Sequence, residues 1–158
     1  ISGLFARRGF NIDSLAVGPA ETKGHSRLTM VVEGGDETLQ QMSKQLDKLV
    51  NVLQVSDLTR IPAVERELML LKVAAPPANR SAILELVEVF RSKVVDFADE
   101  ALTLEVVGDP GKLVALENLL RPYGILEIAR TGKVALERAS GVNTEMLKIS
   151  SDTTSFPA

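Results

Sequence analysis

The sequence predicts an α+β fold, two tandem ferredoxin-like units of the form βαββαβ, the first lacking its opening strand. Three observations predict it. Strand-type apolar stretches alternate with amphipathic helical ones, the same order of elements recurs on either side of Arg60-Ile-Pro-Ala63, and the second half reads strand, helix, strand, strand, helix, strand. The composition agrees: 158 residues, 45% hydrophobic, 25% charged and formal net charge -3 describe an ordinary globular chain with room for one or two cores.

The first stretch, Gly3 to Gly18, sets the pattern of the first half. Ile1, Leu4 and Phe5 fall at helical spacing, Arg7 and Arg8 sit where cations favour a helix C-terminus, and Gly9 suits the residue that ends a helix. Ile12 to Val17 then reads as a strand closed by Gly18-Pro19. Arg27 to Glu33 alternates Leu28, Met30 and Val32 against Arg27, Thr29 and Glu33, a half-buried strand joined to the previous one by a polar hairpin loop. Asp36 offers an N-cap to a helix whose Leu39, Met42, Leu46 and Leu49 share a face, and Val52 to Leu58 reads as a further strand.

Beyond the break at Arg60 to Ala63, Glu67 to Ala74 is apolar at nearly every position and suits a central strand buried on both faces. Asn79 or Ser81 caps a helix carrying Ile83, Leu86, Val87 and Phe90 on one side. Val94 to Ala98 and Leu102 to Val107 are strands, the second alternating Leu102, Leu104 and Val106 against Thr103 and Glu105. Asp109-Pro110 is a helix start with a mechanism in both residues, an N-cap side chain and a proline at the first helical position. Leu113, Leu116, Leu119 and Leu120 form that helix's apolar face, Pro122-Tyr-Gly124 ends it, and Ile125 to Ala129 is the last strand. The expected organisation is a first domain over 1–60, a second over 64–138 and a polar tail over 139–158.

In a split βαβ sheet the opening strand is central, so its loss leaves Val52 to Leu58 without a ladder partner. The expectation is therefore a chain that begins downstream of the native N-terminus. Units of this size hold marginal cores, and an oligomer is expected.

Little in the sequence points to catalysis. The absence of cysteine excludes disulfides, thiolate zinc sites and cysteine nucleophiles, and the single histidine, His25, lies alone in a polar turn. No apolar run approaches the ~20 residues that span a bilayer, and the positive charges are scattered among carboxylates, so neither a membrane nor a nucleic acid is an expected partner. Gly108-Asp-Pro-Gly111 and Gly34-Gly35-Asp36 precede helices but match no phosphate-binding spacing; capping accounts for them. Glu65 and Glu67 read as solvated surface, Arg130-Thr-Gly-Lys133 as a polar corner, and Phe97 as an aromatic too isolated to stack bases. Asn11, at the corner between helix and strand, has two readings: it tolerates the backbone that follows a helix cap, or its amide meets both the carboxylate and the ammonium of an amino acid.

Taken together, Gly3-Leu-Phe-Ala-Arg-Arg-Gly-Phe-Asn-Ile-Asp-Ser-Leu-Ala-Val-Gly18, Ser26-Arg-Leu-Thr-Met-Val-Val32, Glu65-Arg-Glu-Leu-Met-Leu-Leu-Lys-Val73, Phe90-Arg-Ser-Lys-Val-Val-Asp96 and Glu127-Ile-Ala-Arg-Thr-Gly-Lys-Val-Ala-Leu136 resemble the small, regulatory subunit of acetohydroxyacid synthase (acetolactate synthase). The likeness runs over about residues 1 to 147, and Val142-Asn-Thr-Glu-Met-Leu147 resembles cyanobacterial and plastid versions most. The resemblance implies that the first unit is an ACT domain and that the chain is not an enzyme. It implies a homodimer through ACT domains, with a branched-chain amino acid (valine, leucine or isoleucine) as effector at their interface. Asn11 matches the effector-binding asparagine, with Ile12 and Phe10 beside it, whereas the acidic, glycine-containing loop that completes the family's site is absent from this sequence. The implied partner is the large catalytic subunit, which carries thiamine diphosphate, FAD and magnesium, none of them in the small subunit. The implied compartment is the cytoplasm, or the plastid stroma in a photosynthetic eukaryote. The competing readings are a stand-alone amino-acid- or metal-sensing ferredoxin-like module and a stand-alone enzyme, the latter opposed by the lack of any nucleophile motif or histidine cluster.

Overall fold

The computed structural model describes residues 10–143, so the expected helix over Gly3 to Gly9, with Arg7 and Arg8, and the tail beyond Asn143 lie outside the described residues. The described elements are strands β1 (Asn11–Pro19) and β2 (Ser26–Glu33), helix α1 (Asp36–Asp47), strand β3 (Ala63–Ala74), helix α2 (Pro77–Val89), strands β4 (Lys93–Phe97) and β5 (Ala101–Gly108), helix α3 (Pro110–Leu120), a single 3-10 turn at Arg121–Tyr123, and strands β6 (Ile125–Arg130) and β7 (Val134–Glu137). They fall into two compact units. Within the described residues one holds 10–13, 32–64 and 135–143, and the other holds Ser14–Val31 and Glu65–Val134.

Strands β4, β5, β3 and β6 form a sheet in that order, and β7 also pairs with β3. β3 is antiparallel to both neighbours, Leu71 standing opposite Leu104 on β5 and Ile128 on β6. This is the ferredoxin-like sheet that the order of elements predicts, and its helices cover one face. Met69, Leu71 and Val73 of β3, Leu102, Leu104 and Val106 of β5, Ile83 and Val87 of α2 and Leu113, Leu116 and Leu120 of α3 make the core. The alternation on β5 is thus realised as read. β3 departs from its reading in two ways: it starts at Ala63, and it is buried on one face only, since Leu70 is 42% exposed. Its unbroken apolar run reports strand propensity, not two-sided burial. Leu119 is likewise exposed, so the α3 face is narrower than predicted.

Helix starts divide by mechanism. The Asp109 side chain accepts from Lys112 N at 2.9 Å and Pro110 occupies the first turn, as predicted. α2 begins earlier than Asn79 or Ser81 would place it: Pro77 is its first residue, Pro76 is in extended conformation at the cap, and Asn79 N donates to Pro76 O at 2.9 Å. At α1 the cap is Gly35, and Asp36 is the first helical residue, where its charge meets the helix dipole and pairs with Arg60. α1 also ends at Asp47, so Leu49 lies in the turn beyond it, and Met42 is its buried residue.

The predicted strand Val52 to Leu58 is not formed; these residues are irregular and Leu53 is exposed. A strand is a property of a pair, and among the described residues none pairs with this segment. Local side-chain bonds take over instead, with Thr59 N donating to Asp57 Oδ1 at 3.0 Å. β7 went unread because four residues before a polar tail carry too short a pattern; Arg138 N donates to Pro62 O at 2.8 Å and fastens its end.

Candidate functional site

Asn11 opens β1, and its environment is built by the hairpin. Pro19 ends the first strand, Gly24 takes φ +84 in the loop, and Ala20 N donates to His25 O at 2.9 Å, which brings the two strands together. His25 therefore serves the turn through its backbone. Counting outward from the Ala20–His25 contact carries Asn11 to the level of Glu33 and Gly34, and there Asn11 Nδ2 donates to Glu33 Oε2 at 2.8 Å. In the sequence Glu33 is only a polar position on an alternating strand. The hairpin count was the signal that could have found it.

Successive side chains of a strand point to opposite faces, and β1 shows the alternation clearly. Asn11, Asp13, Leu15 and Val17 are exposed, while Ile12, Ser14 and Ala16 are half-buried. Of the predicted effector residues, Asn11 thus presents its side chain to the exposed face, Ile12 turns its side chain to the other and leaves backbone groups beside the amide, and Phe10, half-buried, precedes the strand. Along β2, Leu28 to Val32 are all half-buried, so its expected alternation is blurred.

The remaining candidates are occupied by structure. Gly108-Asp-Pro-Gly111 is a helix cap, completed by Lys112 Nζ donating to Val107 O at 2.8 Å. Glu65, expected to be solvated, pairs with Lys133 at 3.2 Å. Arg130 reaches Glu117 Oε2 at 2.6 Å, and Arg121 reaches the same carboxylate at 3.2 Å; with Glu117 only 13% exposed, this clamp ties α3 to β6. Thr131 exchanges hydrogen bonds with Leu68, its N donating to Leu68 O at 3.1 Å. Gly132 takes φ +86 against the backbone of Leu15. The Phe97 ring lies under the Arg80 guanidinium, 4.7 Å from its centroid, and Arg80 also donates to the carbonyls of Ala75 and Asp99. Among the described residues no three His, Cys, Asp or Glu side chains are gathered as metal ligands, and no helix is long and apolar enough to cross a membrane.

Comparison with known proteins adds to this geometry. A family model described as the AHAS small subunit-like ACT domain matches residues 1–54, and one described as the small subunit of acetolactate synthase matches residues 66–139. The class is therefore a protein of two ferredoxin-like units, the first an ACT domain. A probable acetolactate synthase small subunit from Archaeoglobus fulgidus is 49% identical over 140 residues, covering 89% of this chain and 87% of the relative. The chain belongs to the acetolactate synthase small-subunit family. Among solved structures, an acetolactate synthase small subunit from Thermotoga maritima superposes with a TM-score of 0.78 at 45% identity, over 87% of this chain and 86% of that one. A chloroplastic acetolactate synthase small subunit 2 from Arabidopsis thaliana is 58% identical over 138 residues, 87% of this chain but 28% of the relative. The chain spans less than a third of the length of the two plant relatives that it matches.

Proposed function

We propose that this chain is a non-catalytic regulatory subunit: it raises the activity of a separate acetolactate synthase catalytic subunit and makes that subunit sensitive to feedback inhibition by a branched-chain amino acid. In this reading the ACT domain, over residues 1–60, pairs with that of a second copy, and the effector sits at the seam against Asn11 and backbone groups of Ile12, with Phe10 beside them. Valine is the first candidate; leucine and isoleucine are the others. The domain over 64–138 and the tail over 139–158 follow. Thiamine diphosphate, FAD and magnesium belong to the catalytic partner, and the holoenzyme works in the cytoplasm or, in a photosynthetic eukaryote, the plastid stroma.

The observation that carries the reading is the exposed Asn11 amide at the open end of the β1–β2 hairpin, within the stretch that matches an ACT-domain model. Regulation needs no more than differential affinity. An effector that favours one arrangement of the paired domains supplies a coupling of typically ~1 to 3 kcal/mol, a several-fold to hundredfold effect. The test mixes the full-length subunit with the catalytic subunit of the same source and follows acetolactate formation from pyruvate. Addition is expected to raise the rate, and valine to lower it only when the subunit is present. Turnover of pyruvate by this chain alone, or an unchanged rate on mixing, overturns the reading.

A further inference from the structure

The contact between Asn11 and Glu33 constrains what the asparagine can bind. A carboxamide has a donor end and an acceptor end, whereas an ionised carboxylate can only accept. With Glu33 Oε2 at 2.8 Å, the Asn11 NH2 must face Glu33, and the amide oxygen is turned the other way. Glu33 engages one of the two N–H groups, and the acceptor oxygen is what a cationic ligand group meets. Glu33 adds a negative charge at this corner, and Asp13, two residues on along the same exposed side of β1, adds another.

From this pairing we infer that Glu33 is a positioning residue, holding Asn11 so that the corner receives the ammonium end of the effector and selects α-amino acids over 2-oxo acids of the same carbon skeleton. The inference rests on the reading of Asn11 as an effector contact. A ligand carboxylate placed here would meet the like charge of Glu33 and Asp13. An ammonium meets an acceptor oxygen and opposite charge. A 2-oxo acid puts a carbonyl oxygen where the ammonium would stand, acceptor against acceptor, and gains neither term. The regulatory site would thus respond to the aminated compound and ignore its unaminated counterpart.

Titration calorimetry of the full-length subunit with L-valine and with 3-methyl-2-oxobutanoate tests this, alongside far-UV circular dichroism to confirm that each variant is folded. The wild-type protein is expected to favour valine by at least about 100-fold, the discrimination of a site that hydrogen-bonds the distinguishing group. Glu33→Gln retains an acceptor for Asn11 but removes the charge, and is expected to cut that ratio by roughly 10-fold through weaker valine binding alone. Glu33→Lys should abolish valine binding. If Asn11→Ala loses valine while the ratio in Glu33→Gln and Glu33→Lys stays at the wild-type value, or if both ligands weaken together, the role of Glu33 is refuted and the effector site survives. If Asn11→Ala binds valine as the wild type does, or if the wild type itself gives no heat, the effector reading fails and this inference with it.

Discussion

Leu70 and Leu71 are adjacent on β3 and chemically identical, yet the fold places them on opposite faces of the sheet. Leu71 is 0% exposed, between Leu104 and Ile128 on the helix-covered face, whereas Leu70 is 42% exposed, between Glu105 and Ala129 on the open one. Truncating Leu71 to alanine removes about three buried carbons, worth roughly 2 to 2.5 kcal/mol in transfer alone. The cavity left under α2 and α3 raises the cost to about 3 to 5 kcal/mol. Truncating Leu70 opens no closed cavity, and the partial cover it loses is worth about 1 kcal/mol. A unit of this size has a total stability of about 3 to 10 kcal/mol, so Leu71→Ala consumes a large share of it. Urea denaturation followed by circular dichroism reads both variants, with the slope unchanged and the midpoint moved. Equal shifts for the two, or a larger shift for Leu70→Ala, would refute the one-sided core.

Three further effects follow from local geometry. Gly132 holds φ +86 and a Cβ there would lie 3.2 Å from the Leu15 carbonyl oxygen, so Gly132→Ala should cost about 1 to 3 kcal/mol in the same assay; no loss would contradict the close approach. Asp109→Ala removes the oxygen that accepts from Lys112 N and should cost about 0.5 to 2 kcal/mol, with Asp109→Asn close to wild type. Stability should also fall on acidification. The hydroxyl and N–H of Thr59 hold the Asp57 carboxyl below its ordinary 3.8, and the Lys72 ammonium holds Glu127 below 4.5. Groups depressed by folding contribute fully above their unfolded values and lose that contribution as pH falls through the folded ones. The urea midpoint should therefore be flat from about pH 7 to 5 and drop below about pH 4.5, less steeply in Lys72→Met; a midpoint that rises on acidification contradicts the pairing.

What could be read in the sequence was what short-range chemistry decides. Asp109-Pro110 announced α3 because a side-chain oxygen and a fixed φ both act within one turn, and the Leu102, Leu104, Val106 alternation named the core face of β5 because period 2 is intrinsic to a strand. Where two local signals competed, the wrong one was chosen: Asn79 and Ser81 resemble caps, but Pro76-Pro77 had already fixed the start of α2. Non-local features escaped altogether. Val52 to Leu58 has strand composition and forms no strand, since composition cannot supply a partner. The sequence places Asn11 at a corner before a strand, and the structure shows it exposed at the start of β1, yet Glu33, 22 residues away, enters only once the hairpin has closed.

The central claim is that sensing belongs to this chain and chemistry to another, so the most direct measurement separates the two in one assay. Acetolactate formation by the catalytic subunit is followed as valine is added, with either the wild-type full-length subunit or Asn11→Ala present. Asn11→Ala is predicted to raise the catalytic rate as the wild type does while leaving it insensitive to valine. An Asn11→Ala subunit that still confers full valine inhibition would contradict the account.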